Sequence, residues 1–397
     1  MPSTAPAASV PTVKISSRGV ARLKEGHVWV YRSDVVSADG VAPGAMVNVA
    51  DERGKTLGAA FYSSSSQIAV RMISPKPVLD LQALLRERIG KAIAYRERVV
   101  RNTDAYRLVF SEADGLPGLI ADRYNDLISL QFLTQAMDAE AVRQTVIAEL
   151  NDRLKPAAIG EYVDSRVREL EQLPPRPSSL LQGELPSTIF AMNRVRFHYQ
   201  ALAGQKTGAF LDQRENYAAA AEYARGEALD VFCYQGGFAL HLAERCSQVT
   251  GVDSSRPALE IAEQNAALNV REVEWIEGNA FDLMRDYADA GRKYDVVVLD
   301  PPAFAKSKRN LDPAFRAYKE LNLRALKMLR PEGILLTCSC SYHVSEADFL
   351  AVVAQAGRDS HRNLRLLENR GQAKDHPILL TVPETRYLKC LILHVSD

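Results

Sequence analysis

Long apolar runs, dense cysteine and net charge are all missing from this sequence. No stretch of its 397 residues approaches the roughly 18 continuous apolar residues of a membrane span, so no membrane partner is expected. The opening MPSTAPAASVPTV has neither a basic leader nor a long apolar core, and it reads as a short tail rather than a secretion signal. Five cysteines are too few and too irregularly placed for a disulfide framework, which points to a reducing, cytoplasmic setting. A C-x-C pair cannot supply four ligands, and no partner C-x-x-C or H-E-x-x-H exists, so no metal centre is expected.

What is present is an ordinary globular composition. Apolar residues make up 47% and charged residues 25%, which excludes a disordered chain, a collagen and a coiled-coil rod. The length predicts two or three domains. The 49 basic and 49 acidic residues cancel overall but not locally. Residues 1–100 hold 14 Lys/Arg against 8 Asp/Glu, a balance of +6, and residues 101–397 hold 35 against 41, a balance of −6. A basic first quarter suits an anionic partner met by one module, although an ordinary solvated surface would look similar.

Residues 13–76 read as all-β. Short runs such as VKISSRGVARL, HVWVY, AMVNVADERG and AAFYSSSSQIAVRMI alternate with polar turns, and SSSS has the composition of a hairpin tip. A helix is expected from about Asp80 to Asn102 on a stripe of Leu81, Leu84, Leu85, Ile89, Ile93 and Val100. Residues 106–200 mix strands (YRLVF, GLIADRY, LISLQFL) with the amphipathic helix DAEAVRQTVIAELNDRL, and LPPRPSSLLQGELP reads as a loop. From about 225 the pattern becomes βα alternation. Strands ALDVF, VTGVD, VEWIE, YDVVVLD and GILLTCS are separated by helices near 256–268, 312–329 and 345–356. This predicts an α/β fold with a parallel, Rossmann-like sheet covered on both faces. The late strand YLKCLILHV suits either a dimer edge, hence a homodimer, or closure of the sheet within one chain.

The first strand of that sheet ends in Asp230, followed by a turn with Gly236 and Gly237, and the next ends in Asp253, 23 residues on. Glycines let backbone approach a ligand, and a carboxylate at the second strand end accepts from both ribose hydroxyls. The D-x-F-x-x-x-G-G turn is a poor match to the G-x-G-x-x-G of dinucleotide sites. Asp230 would repel a pyrophosphate and suits the ammonium of a methionine moiety, so S-adenosylmethionine fits better than NAD. Asn279, after the third strand, is placed to read the adenine edge.

A fourth strand ends in Asp300-Pro301-Pro302-Ala303-Phe304, at the edge where such sheets do chemistry. The prolines fix the backbone. Asp300 can accept from a flat nitrogenous ring, and Phe304 can stack on one or pack in the core. The next strand carries Cys338 and Cys340, two apart and therefore on one side. Buried free cysteines usually pack, but this strand end should adjoin that of Asp300. A thiol, a ring-binding carboxylate and a methyl donor together suggest attack at C6 of a pyrimidine, which makes C5 nucleophilic toward the methyl group. A carboxylate accepts from an amine, which favours cytosine over uracil. Methylation of another RNA atom, such as a guanine nitrogen, and a non-catalytic RNA-binding assembly factor are the competing readings.

The stretches EGHVWVYRSDV, SEADGLPGLIADRY, QKTGAFLDQR, GGFALHLAERCSQVTGVDSS, VVLDPPAFAKSK, GILLTCSCS and DHP resemble the ribosomal large subunit methyltransferase I type of 23S rRNA cytosine-5 methyltransferase. The resemblance covers nearly the whole chain. It implies a PUA pseudobarrel for RNA over 12–85, a small central α+β domain over 86–195, and a class I methyltransferase domain over 196–397 that acts on 23S rRNA. It also implies that Gln205–Arg214 closes over the cofactor, with Phe210 available for stacking and Arg214 for a carboxylate. The family's T-F-S-C-S strand favours Cys340 as nucleophile, whereas related enzymes built on T-C-S would favour Cys338. Asn279 stands where the family has Asp, and Cys233 and Gln235 replace residues of its C-F-S-Y-T-G-G-F turn. The target base must leave its stack to reach such a site.

Overall fold

Short runs of Val, Ile and aromatics between polar turns build the first layer. The computed structural model describes residues 10–201, 209–305 and 307–397, so the Gln205–Gly208 part of the closing segment lies outside the described residues. Six strands form a mixed sheet in the order Trp29–Tyr31, Ile68–Ser74, Thr56–Tyr62, Met46–Asp51, Thr12–Ile15, Val35–Ser37. Val13, Ile15, Val47, Val49 and Val70 fill its core. Ser63–Ser66 joins two of the strands, as a hairpin tip should.

The all-β reading needs one correction. Within VKISSRGVARL the strand stops at Ile15 and helix Ser17–Lys24 follows. Ser16 Oγ accepts from Gly19 N at 3.3 Å, satisfying an orphan donor at the helix start. Val20 and Leu23 then pack on the sheet. Two turns are too short for a helical period to stand out from β-rich surroundings.

A five-stranded sheet follows, in the order Ser179–Gln182, Ala158–Glu161, Leu127–Phe132, Leu119–Tyr124, Ala105–Phe110. Helices Leu81–Val99 and Glu140–Leu154 pack on it through Leu85, Ile89, Val142, Val146 and Leu150. Asp80 caps the first helix by accepting from Ala83 N at 2.9 Å. Part of the expected loop LPPRPSSLLQGELP is the edge strand Ser179–Gln182, because pairing with Ala158–Glu161 outweighs a turn-like composition. A hairpin of Ser187–Met192 and Val195–Gln200 leads into the last domain, with the rings of Phe190 and Phe197 stacked 5.6 Å apart.

The strands of that domain are β1 (Glu227–Val231), β2 (Gln248–Asp253), β3 (Glu274–Glu277), β4 (Tyr294–Leu299), β5 (Leu329–Ser339), β6 (Asn363–Arg370) and β7 (Lys389–Ser396). They lie in the order β3-β2-β1-β4-β5-β7-β6, and only the pairings of β7 are antiparallel. Helices Gly237–Leu242, Arg256–Leu268, Ala280–Asp289, Leu311–Met328 and Glu346–Asp359 connect them. Apolar clusters cover both faces, which is why the central strands read as unbroken apolar runs. YLKCLILHV is β7, an interior strand between β5 and β6, so it closes the sheet within the chain and offers no free edge. The strand order reverses between β1 and β4, where open α/β sheets bind ligands at the carboxyl ends. Among the described residues no helix is long and apolar enough to cross a membrane.

Candidate active site

Register brings the functional residues to one edge. Val231 of β1 stands opposite Leu299 of β4, and Leu299 stands opposite Thr337 of β5. Asp230, Asp300 and the two cysteines therefore sit at three adjacent strand ends.

The cofactor half is built on the turn after β1. Phe232 and Tyr234 have φ of 69° and 50°, a left-handed backbone that costs non-glycine residues about 1–3 kcal/mol each. The turn is held there by Phe232 N and Cys233 N, which donate to Val252 O at 2.8 and 3.0 Å. Asp230 is wholly buried. One of its oxygens accepts from Ala239 N at 2.8 Å, and Oδ1 has no hydrogen-bond partner among the described residues. Burial and, secondarily, the nearby carboxylates of Asp300 and Asp253 push its carboxyl up to about 8. An orphaned, buried carboxylate oxygen suits an ammonium group. Asp253 is oriented by two backbone donors, Tyr234 N and Ser255 N, each at 2.9 Å. Phe210 meets Tyr234 edge to face at 5.2 Å, and both line a cleft with Phe232, Gln235 and Asp300.

Three expectations for this half change in detail. A Cβ at Gly236 would come within 2.8 Å of the Trp275 ring, and one at Gly237 within 2.5 Å of Tyr217. These glycines thus make room for aromatic side chains, not only for a ligand. Asn279 caps helix Ala280–Asp289, its Oδ1 accepting from Phe281 N at 2.9 Å, so only its amide nitrogen remains for an adenine edge. Either Asn or Asp can cap, which accounts for this chain's tolerance of Asn there. Arg214, expected to meet a carboxylate of the cofactor, is engaged with a carboxylate of this chain. Its buried guanidinium forks onto Asp375 at 2.8 and 2.9 Å. Asp375 belongs to the DHP stretch and also accepts from Arg107 N at 2.8 Å, tying the central domain to the last one.

The chemical half lies at β4 and β5. Asp300 N donates to Val231 O at 3.3 Å, which anchors the start of the DPP turn. Pro301 is buried and Pro302 exposed. Phe304 is half-buried, its ring 4.9 Å from that of Tyr318 and 6.1 Å from that of Phe281, so part of it packs on the core and part faces outward. A hydroxyl chain fixes this turn to the end of β5. Ser339 Oγ donates to Tyr318 Oη at 2.9 Å, Tyr318 Oη bonds Ser341 Oγ at 2.9 Å, and Ser341 Oγ accepts from Ala305 N at 3.1 Å.

The cysteines part company. Cys338 lies within β5, wholly buried, opposite Cys390 of β7. Burial, then the Cys390 thiol, push it well above the ordinary thiol range, as for a thiol packed in a core. Cys340 lies just past the strand end, partly exposed, with Sγ 3.9 Å from Pro301 O.

Gln213 is the residue that motif reasoning passed over. Its Nε2 donates to Asp300 Oδ2 at 3.0 Å, while its Oε1 accepts from Asn216 Nδ2 at 2.6 Å. The amide is therefore oriented from both sides. Its place in QKTGAFLDQR was the only available signal.

The chain resembles known proteins over nearly its full length. A family model described as an S-adenosylmethionine-dependent methyltransferase matches residues 127–382, and a PUA-like domain model matches residues 13–75. It is 38% identical to the ribosomal RNA large subunit methyltransferase I of Shewanella denitrificans over 396 residues, covering 96% of this chain and 99% of that one. The Escherichia coli O139:H28 protein of the same name is 36% identical over 375 residues, covering 91% and 94%. The fold matches that of a Streptococcus mutans protein assigned as a SAM-dependent methyltransferase, with TM-score 0.83, 18% identity, and coverage of 97% and 100%. A similar structure, with TM-score 0.84, 18% identity and coverage of 97% and 100%, was solved in complex with SAH. The chain belongs to the ribosomal RNA large subunit methyltransferase I family of S-adenosylmethionine-dependent methyltransferases.

Proposed function

We propose that this enzyme forms 5-methylcytosine in large-subunit (23S) ribosomal RNA through a covalent adduct with Cys340. The observation that carries the reading is the partly exposed Cys340 sulfur, 3.9 Å from the Pro301 carbonyl, two residues beyond a wholly buried Cys338. The relatives' names supply the RNA class. The basic first quarter supports RNA contact by the N-terminal domain, residues 12–85, ahead of a central domain at 86–195 and the methyltransferase domain at 196–397.

Asp230 takes the cofactor's ammonium and Asp253 its ribose. When bound, S-adenosylmethionine supplies an electrophilic methyl group. The Cys340 thiolate adds to C6 of the cytosine; the S–C6 bond forms as the C5=C6 π bond opens and its electron pair moves to C5. Asp300, held by Gln213, accepts from the 4-amino group and so orients the ring. Pro301, Pro302 and Phe304 form the wall against which the flipped base rests. Once C5 carries the methyl group, a base takes the C5 proton, the double bond re-forms, and the S–C6 bond breaks to return the thiolate. Cys338 has no part in these steps.

Product analysis tests this. RNA methylated by the enzyme and digested to nucleosides should contain 5-methylcytidine. Finding 7-methylguanosine instead would assign the scaffold to a guanine nitrogen.

A further inference from the structure

Lys389 opens β7, directly opposite Ser339. It is only 6% exposed. Its Nζ donates to three backbone carbonyls, those of Ser341 at 2.7 Å, Tyr387 at 2.9 Å and Val344 at 3.0 Å. An ammonium carries three protons, so the shell is complete. Two of the three carbonyls belong to the turn that begins immediately after Cys340. That turn is also fixed from the other side, where Ser341 Oγ holds Ala305 N and Tyr318.

A structural tie between a strand and a turn does not require a charge. An ammonium taken out of water needs an anion or well-aimed dipoles to offset its lost solvation. Among the described residues the charged and titratable groups facing Lys389 are Cys340, Arg386 and Glu346, and burial pulls the ammonium down to about 8 despite the opposing pull of Cys340. Arg386 and Glu346 form an ion pair with each other, which leaves their net contribution small. On its other flank Cys340 faces Tyr318, whose hydroxyl is engaged by Ser339 and Ser341. The three carbonyls solvate the ammonium without cancelling its charge, and Cys340, at the head of the turn they belong to, is a group of opposite sign when ionised.

We infer that Lys389 is the positioning residue of the nucleophile: its three-carbonyl seat holds the Cys340 turn, and its charge favours the thiolate. This rests on Cys340 being the attacking group, and it adds β7 to a site otherwise built from β1, β2, β4 and β5.

The test is the pH dependence of Cys340 alkylation by iodoacetamide in the full-length protein, read by peptide mass spectrometry. In the wild type the midpoint should fall below the ordinary thiol value of about 8.5. Lys389→Met should move it up by about one pH unit, slowing alkylation at pH 7 about ten-fold. Lys389→Arg should restore most of the reactivity. An unchanged profile in folded Lys389→Met would overturn the inference. So would a wild-type midpoint at or above the ordinary value, which needs no variant to fold. Methyl transfer by Cys340→Ser is read separately. Activity retained there removes the nucleophile assignment while leaving the thiol profile intact.

Discussion

The amide of Gln213 donates to the carboxylate of Asp300 across 3.0 Å, from a segment 87 residues earlier in the chain. Asn216 Nδ2 in turn donates to the Gln213 carbonyl at 2.6 Å, so the amide cannot flip without losing both bonds. Asp300 consequently presents a fixed edge to whatever enters between β4 and β5.

Replacing Gln213 by Leu should therefore slow methyl transfer without removing any reacting group. A hydrogen bond to a charged partner contributes about 1.5–3 kcal/mol, which corresponds to about a 10- to 100-fold loss. The loss should appear in kcat, with cofactor affinity nearly unchanged. Steady-state kinetics with separate titration of RNA and S-adenosylmethionine checks the split. Equal weakening of cofactor binding would mean that Gln213 serves the other half of the site.

Asp230 makes a pH prediction. Its carboxyl is raised from the ordinary range to about 8 by burial, and an ammonium ligand favours the ionised form. Cofactor binding below pH 8 should then release a proton and tighten as pH rises toward 8. Calorimetry in buffers of different ionisation enthalpy counts that proton. For the ligand-free protein the sign is opposite. A carboxyl raised in the folded state stabilises below its unfolded pKa of about 4, and that contribution is lost as pH rises through about 8. Asp230→Asn should thus melt higher than wild type at pH 9 while binding the cofactor much more weakly. A variant that melts lower at pH 9 and binds normally would contradict the assignment.

Arg214 and Asp375 predict a stability effect rather than a binding one. Their fork is buried, and breaking such a pair by removing one partner costs about 3–5 kcal/mol. Arg214→Met should lower the melting temperature markedly while the dissociation constant of the cofactor, measured below the melt, stays close to wild type. A large loss of affinity in a protein of normal stability would return Arg214 to the cofactor.

Much of the catalytic domain was legible because its physics is local. Apolar runs of strand length that close on Asp230, Asp253 and Asp300 put the carboxylates on one sheet edge. Three features were not legible for equally physical reasons. Gln213 acts on Asp300 through a tertiary contact, and one polar residue in a loop carries no periodic signature. Arg214 lies next to it and has the right chemistry for a carboxylate, but the carboxylate it meets is Asp375, 161 residues away. The two-residue repeat of a strand puts both cysteines on one side, but it holds only while the ladder continues. β5 ends at Ser339, so Cys338 stays in the core and Cys340 leaves it. The helix Ser17–Lys24 was hidden by its length, and the strand Ser179–Gln182 by its Pro- and Ser-rich flanks.

The central claim is that the sulfur of Cys340 bonds to C6 of a cytosine. Its most direct test is to incubate the enzyme and S-adenosylmethionine with RNA carrying 5-fluorocytosine, where the C5 fluorine blocks proton loss and traps the adduct. Peptide mapping should find the nucleotide on Cys340, with no trapping in Cys340→Ser and full trapping in Cys338→Ser. A crosslink to Cys338, or methyl transfer to cytosine by Cys340→Ser at the wild-type rate, would contradict the account.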